Sequence, residues 1–118
     1  MRSDRVYLLD ILEAIEHIER YRTESRSAFD TDERTQIWMV NRLQIIGEAG
    51  RKLSQAFRDR HPEIPWRDII GMRHILVHGY FDIDLDIVWS AVTTSIPPLQ
   101  TQVEHALRTD PAVQDLPL

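Results

Sequence analysis

The chain's apolar residues recur at helical spacing from end to end, and no segment alternates apolar and polar residues as a strand must. That period restricts the fold to packed helices. Leu8, Ile11, Leu12, Ile15 and Ile18 follow i, i+3, i+4, i+7 spacing, which predicts an amphipathic helix over residues 4 to about 27. Asp30 and Glu33 stand at capping-box spacing and predict the start of a second helix. Its stripe is Ile37, Val40, Leu43, Ile46, Gly47, Gly50, Leu53 and Phe57. Each glycine in a helix forgoes roughly 1 kcal/mol of propensity against alanine, so Gly47 and Gly50 predict close approach of another helix. His61-Pro62-Glu63-Ile64-Pro65 reads as a loop, and Pro65 can open a third helix. Trp66, Ile69, Ile70, Arg73 and Val77 share its face, and Gly79 suits its end. Asp82-Ile83-Asp84 begins a last helix containing Leu85, Val88, Trp89, Val92 and Ile96. Pro97-Pro98 must kink that helix or restart it as a fifth. The expected fold is an all-α antiparallel bundle of four to five helices. It forms one domain over residues 1–110, with 111–118 as a flexible tail.

The chain has 118 residues, of which 42% are hydrophobic, enough for one core. It has no cysteine, hence no disulfide and no thiolate metal site. His17, His61 and His105 are scattered without acids at ligand spacing on the same face, so neither a metal nor a cofactor is expected. No apolar run approaches the ~20 residues of a membrane helix, and the N-terminus lacks the apolar core of a signal peptide. A cytoplasmic location away from membranes is the expectation.

The net charge of −5 argues against broad affinity for nucleic acid, but the charge is uneven. From Arg42 to His74 seven cations face four acids, so the remaining chain is strongly acidic. Of the 14 cations only Lys52 is not arginine. Arginine favours planar, bidentate contacts to phosphate or carboxylate; ion pairing on solvated helix faces uses the same residues.

One stretch concentrates functional groups: Gly71-Met72-Arg73-His74-Ile75-Leu76-Val77-His78-Gly79-Tyr80. Arginine is a permanent cation, and histidine exchanges protons near neutral pH. Together they suffice to cut RNA without a metal, because the ribose 2′-OH supplies the nucleophile. On a continuous α-helix Arg73 and His78 lie ~140° apart. Convergence on one phosphate then needs a turn near His78-Gly79, or a second subunit that supplies one of the groups. The simpler alternative is that Arg73 pairs with an acid such as Asp68 while His78 ends a helix. Glu48 is either a partner of Arg73 or solvated. Trp38, Trp66 and Trp89 read as packing residues.

Arg73-x4-His78-x-Tyr80 matches the R-x4-H-x-Y signature of the HepT-like toxins, a branch of the HEPN superfamily. The resemblance extends to Ile45-Ile46-Gly47-Glu48-Ala49 with Arg51-Lys52-Leu53-Ser54, to Pro65-Trp66 through Arg73, and to Asp86-Ile87-Val88-Trp89. It covers roughly residues 4 to 108. The resemblance implies a HEPN-like symmetric homodimer with the motifs lining an interface cleft. It implies a metal-independent endoribonuclease that leaves a 2′,3′-cyclic phosphate. Arg73 and His78 would be catalytic, with His74 and Glu48 supporting. Position 74 is more often Asn in HepT-like sequences. The resemblance also implies a partner, an MNT-type nucleotidyltransferase antitoxin that transfers AMP to the motif tyrosine, here Tyr80. Net acidity favours a different role, a non-catalytic helical dimer that binds a nucleotide or such a partner.

Overall fold

A computed structural model describes residues 3–74 and 83–114, and all regular structure in them is helical. Helix α1 spans Asp4–Tyr21 and presents Leu8, Ile11, Ala14, Ile15 and Ile18 to the core. It stops short of residue 27 because Ser25 caps a new short helix, α2 (Arg26–Asp30), accepting the Ala28 N–H at 3.1 Å. Asp30 therefore closes α2, paired with Arg26 at 2.7 Å, and does not open the next helix. The cap of α3 (Glu33–Lys52) is Asp32, whose carboxylate takes both the N–H and the hydroxyl of Thr35, at 3.1 and 2.8 Å.

The α3 stripe breaks before Phe57. Ser54 caps a separate helix α4 (Gln55–Arg60) by accepting the Phe57 N–H at 3.1 Å. Asp4 holds that corner, accepting from the Ser54 N–H at 2.8 Å and its hydroxyl at 2.6 Å. The start of α1 thus meets the end of α3, while Tyr21 at the end of α1 meets Trp38 near the start of α3. The two helices are antiparallel and form the body of the bundle.

Helix α5 (Trp66–Gly71) follows Pro65, which caps it from outside the first turn, and gives way to a 3-10 turn over Met72–His74. Helix α6 (Leu85–Ser90) begins at Asp84, whose carboxylate accepts the N–H groups of Asp86 and Ile87. A π-helical turn over Ala91–Ser95 then leads into α7 (Ile96–Thr109). Pro97 and Pro98 fall at the first positions of α7, where a missing N–H leaves no bond unmade. The backbone stays helical through Ser90, Ser95 and Ile96, so the double proline does not break the run, and the π turn before it carries the change in bonding pattern.

The core joins Leu8, Ile11 and Ile15 of α1 to Met39, Leu43 and Ile46 of α3 and to Val92, Leu99 and Val103 of the last helical run. Phe57 is fully buried, with Trp66 edge-on at 5.9 Å between ring centroids. Asp110 and Val113 are anchored at the start of the segment that the sequence pattern reads as a tail, while Pro111 and Ala112 between them are exposed. Val113 is buried, its carbonyl accepts from Arg5 Nη1 at 2.9 Å, and Asp110 is bonded to His61. Among the described residues no helix is long and apolar enough to cross a membrane.

Candidate active site

The site forms where α3 passes under the 3-10 turn. A Cβ built at Gly47 would lie 2.6 Å from the Arg73 backbone nitrogen and 3.1 Å from the Arg73 Cβ. Only a residue without a side chain lets the two backbones meet this way. The α-helix has already ended at Gly71, so Arg73 is not carried on a continuous α-helix.

Pressed against α3, Arg73 reaches its polar edge. Nη1 donates to Glu48 Oε1 at 3.3 Å, and Nε donates to His74 Nε2 at 3.3 Å. The other carboxylate oxygen of Glu48 accepts from Arg51 Nη2 at 3.1 Å. Two guanidinium groups therefore share one carboxylate, which leaves an excess of one positive charge. The bond from Arg51 holds the Glu48 carboxyl below its ordinary range; burial pushes it up, and the bond from Arg73 adds to the lowering. Glu48 stays ionised and keeps the Arg73 fork oriented. The Arg73 side chain is 30% exposed. No group among the described residues bonds its Nη2, so the fork keeps donors for an incoming anion.

The sequence-predicted residues divide in three. Arg73, His74 and Glu48 are brought together. Asp68, the other acid considered for Arg73, takes no part in the Arg73 contacts; it lines a recess beside α6 with Met72 and Ser90. His78, Gly79 and Tyr80, with the flanking Ile75, Leu76 and Phe81, lie outside the described residues. Arg51 was not singled out as a site residue, although its i, i+3 spacing from Glu48 is the signal that finds it. Beside Glu48 a recess of about 270 Å³ opens between α1 and α3, lined also by Tyr7, Asp10, Gln44 and Lys52. Among the described residues no three His, Asp or Glu side chains gather as a metal site would require.

Fold and site together define an all-α protein with an arginine held by a glutamate at its surface. The chain matches the Ribonuclease HepT-like family over residues 11–106 and belongs to that family. It is 42% identical over 104 residues to "Probable ribonuclease HepT" of Thermococcus cleftensis, spanning 87% of this chain and 94% of that protein. It is 38% identical over 111 residues to "Putative RNase TTE0752" of Caldanaerobacter subterraneus, spanning 93% and 99%. No solved structure matches it.

Proposed function

We propose that this chain is a metal-independent endoribonuclease acting as the toxin of a HEPN/MNT toxin–antitoxin pair in the cytoplasm. The observation that carries the proposal is the anchored Arg73, pressed by its backbone on Gly47 and bonded by its fork to Glu48, at the head of the R-x4-H-x-Y motif. A guanidinium already oriented by a carboxylate is preorganised for the charge that develops on phosphoryl oxygens.

In the proposed reaction His78 takes the proton of a ribose 2′-OH. That oxygen attacks the adjacent phosphorus, and the bond to the 5′ oxygen breaks. The leaving oxygen takes up a proton, and a 2′,3′-cyclic phosphate remains. Arg73 stabilises the equatorial oxygens throughout. Positioned acid–base work of this kind contributes ~10²–10⁴-fold. Control falls on Tyr80. Its phenol oxygen attacks the α-phosphorus of ATP on a partner nucleotidyltransferase, pyrophosphate leaves, and the added AMP puts charge and bulk two residues from His78.

Net acidity favours the second reading, a non-catalytic dimer that binds a nucleotide or the partner nucleotidyltransferase. An RNA-cleavage assay with EDTA present separates the two. Wild type is expected to cut, His78→Ala to lose cleavage with its thermal melt unchanged, and Arg73→Lys to recover little. Unimpaired cleavage by His78→Ala overturns the catalytic assignment. In co-expression with a partner nucleotidyltransferase of the MNT type, intact mass should show AMP-sized additions that Tyr80→Phe lacks. Full neutralisation of Tyr80→Phe removes the modification step.

A further inference from the structure

At the end of α3 remote from Glu48, a second cluster of cations and aromatic rings has no part in the site above. Trp38 Nε1 donates to the His17 carbonyl at 3.3 Å, which fixes the indole against α1. The Arg42 guanidinium covers the ring at 4.2 Å from its centroid and meets His17 Nδ1 at 3.1 Å. Tyr21 stands edge-on to the indole, 5.2 Å away at 79°, and is 52% exposed. Between them lies a recess of about 200 Å³, lined by Tyr21, Arg34, Thr35 and Trp38. Thr35 is committed to Asp32. The Arg34 backbone N–H bonds the Asp32 carboxylate, and its charge helps keep that carboxyl ionised, but among the described residues its guanidinium makes no side-chain hydrogen bond or close ion pair.

An exposed ring at the mouth, a second ring held in place and an exposed guanidinium with free side-chain donors are the parts of a single-strand binding site. Aromatic faces accept any base, and arginine supplies the phosphate contact or a planar surface of its own. The recess holds about seven waters' volume, which suits one ring system. Trp38 and Gly47 are nine residues apart, about 14 Å along α3 and half a turn round it, but the Arg73 fork reaches round to Glu48, which lies within about 80° of Trp38 on the helix surface. A single strand that engages both sites runs obliquely over α3. We infer that the recess between Tyr21, Arg34 and Trp38 binds one unpaired base of single-stranded RNA, with an adjoining phosphate on Arg34. This deepens the ribonuclease proposal and rests on it for the choice of RNA. It gives an acidic chain a grip that does not depend on a broad basic surface.

The test uses the full chain and a fluorescent single-stranded oligonucleotide whose riboses are 2′-O-methylated, so that no nucleophile exists and binding is read without cleavage. Tyr21→Ala is expected to weaken binding about tenfold, equivalent to about 1.4 kcal/mol, while Tyr21→Phe keeps the affinity. Arg34→Ala should also weaken it and lower the slope of log K against log salt by about 0.7, the share of one phosphate contact. Tyr21→Ala should leave that slope unchanged. Unaltered binding by both Tyr21→Ala and Arg34→Ala overturns the inference, as does wild type that binds no oligonucleotide. A change in sedimentation with RNA affinity intact also overturns it and assigns the face to contact between copies. The ribonuclease proposal is judged separately. Oligonucleotide binding that needs Tyr21, in a protein that cuts no RNA, keeps the inference and sinks the nuclease. Cleavage unaffected by both variants, with unaltered binding, does the reverse.

Discussion

Gly47 and Gly50 lie three residues apart on α3, yet a methyl group has opposite consequences at the two. At Gly47 it meets backbone, the Arg73 nitrogen at 2.6 Å, and backbone cannot rotate away. At Gly50 it meets the ends of Ile69 and Ile70 at 3.5 Å, an ordinary contact. Gly50→Ala therefore gains most of the helix-propensity difference and should raise stability by up to about 1 kcal/mol. Gly47→Ala gains the same propensity but must push the 3-10 turn off α3, an overpacking penalty of about 1–3 kcal/mol. It should also displace Arg73 and lower RNA cleavage. Urea midpoints of the two variants test this, and equal midpoints would refute the backbone contact. The glycine pair was legible in the sequence as a close approach, because nothing else explains two glycines in a helical stripe. Glu48 was legible only as one of two possibilities. What it touches depends on where α5 ends, and no local pattern encodes that the α-helix closes at Gly71, about two turns before Gly79.

Elements were legible where they rest on periodicity and were misplaced where one side chain redirects the backbone. The period of α1 continues in sequence past Tyr21, but Ser25 makes a competing cap. Asp30 and Asp32 are equally good caps by type; Asp32 wins because Thr35 offers it two donors. The anchoring of Asp110 and Val113 was hidden because a buried carboxylate shows no pattern of its own. Asp110, 8% exposed, accepts from His61 Nε2 at 2.7 Å, from Arg60 Nε at 3.1 Å and from the Ala112 N–H at 2.9 Å. Glu63 lies at 3.4 Å from His61 Nδ1 on the other side. Burial pushes the Asp110 carboxyl up, and the bonds from His61, the Ala112 amide and Arg60 together outweigh it and hold the group below its usual range. A carboxyl lowered in the folded state stabilises above its unfolded value, near ~4, and that contribution is lost as pH falls through the folded value. Asp110→Asn should cost about 1.5–3 kcal/mol near neutral pH, the worth of hydrogen bonds to a charged group. Its deficit against wild type should shrink below about pH 4. Thermal melts from pH 3 to 8 check this; a deficit independent of pH would show that the latch works by shape alone.

For the whole molecule the distribution of charge matters more than its total. The local excess of cations between Arg42 and His74 includes Arg51 and Arg73, which converge on Glu48, and the acids lie mostly elsewhere. A two-fold dimer across this face would double the cationic excess at one cleft. We predict a homodimer of twice the 13.9 kDa chain mass by sedimentation at micromolar concentration. We further predict that the two chains share the chemistry, Arg73 of one working with His78 of the other. Mixed variants test that directly. Arg73→Ala and His78→Ala are each expected to be inactive as homodimers. When they are unfolded together and refolded, a mixed dimer holds one site with both an intact Arg73 and an intact His78, provided the site spans the axis. Random pairing then restores up to about a quarter of wild-type cleavage. Sites confined to single chains restore none, since every chain in the mixture lacks one group. Mixed dimers verified by mass but devoid of cleavage would reject the shared site, and a clean monomer with full activity would reject the dimer as well.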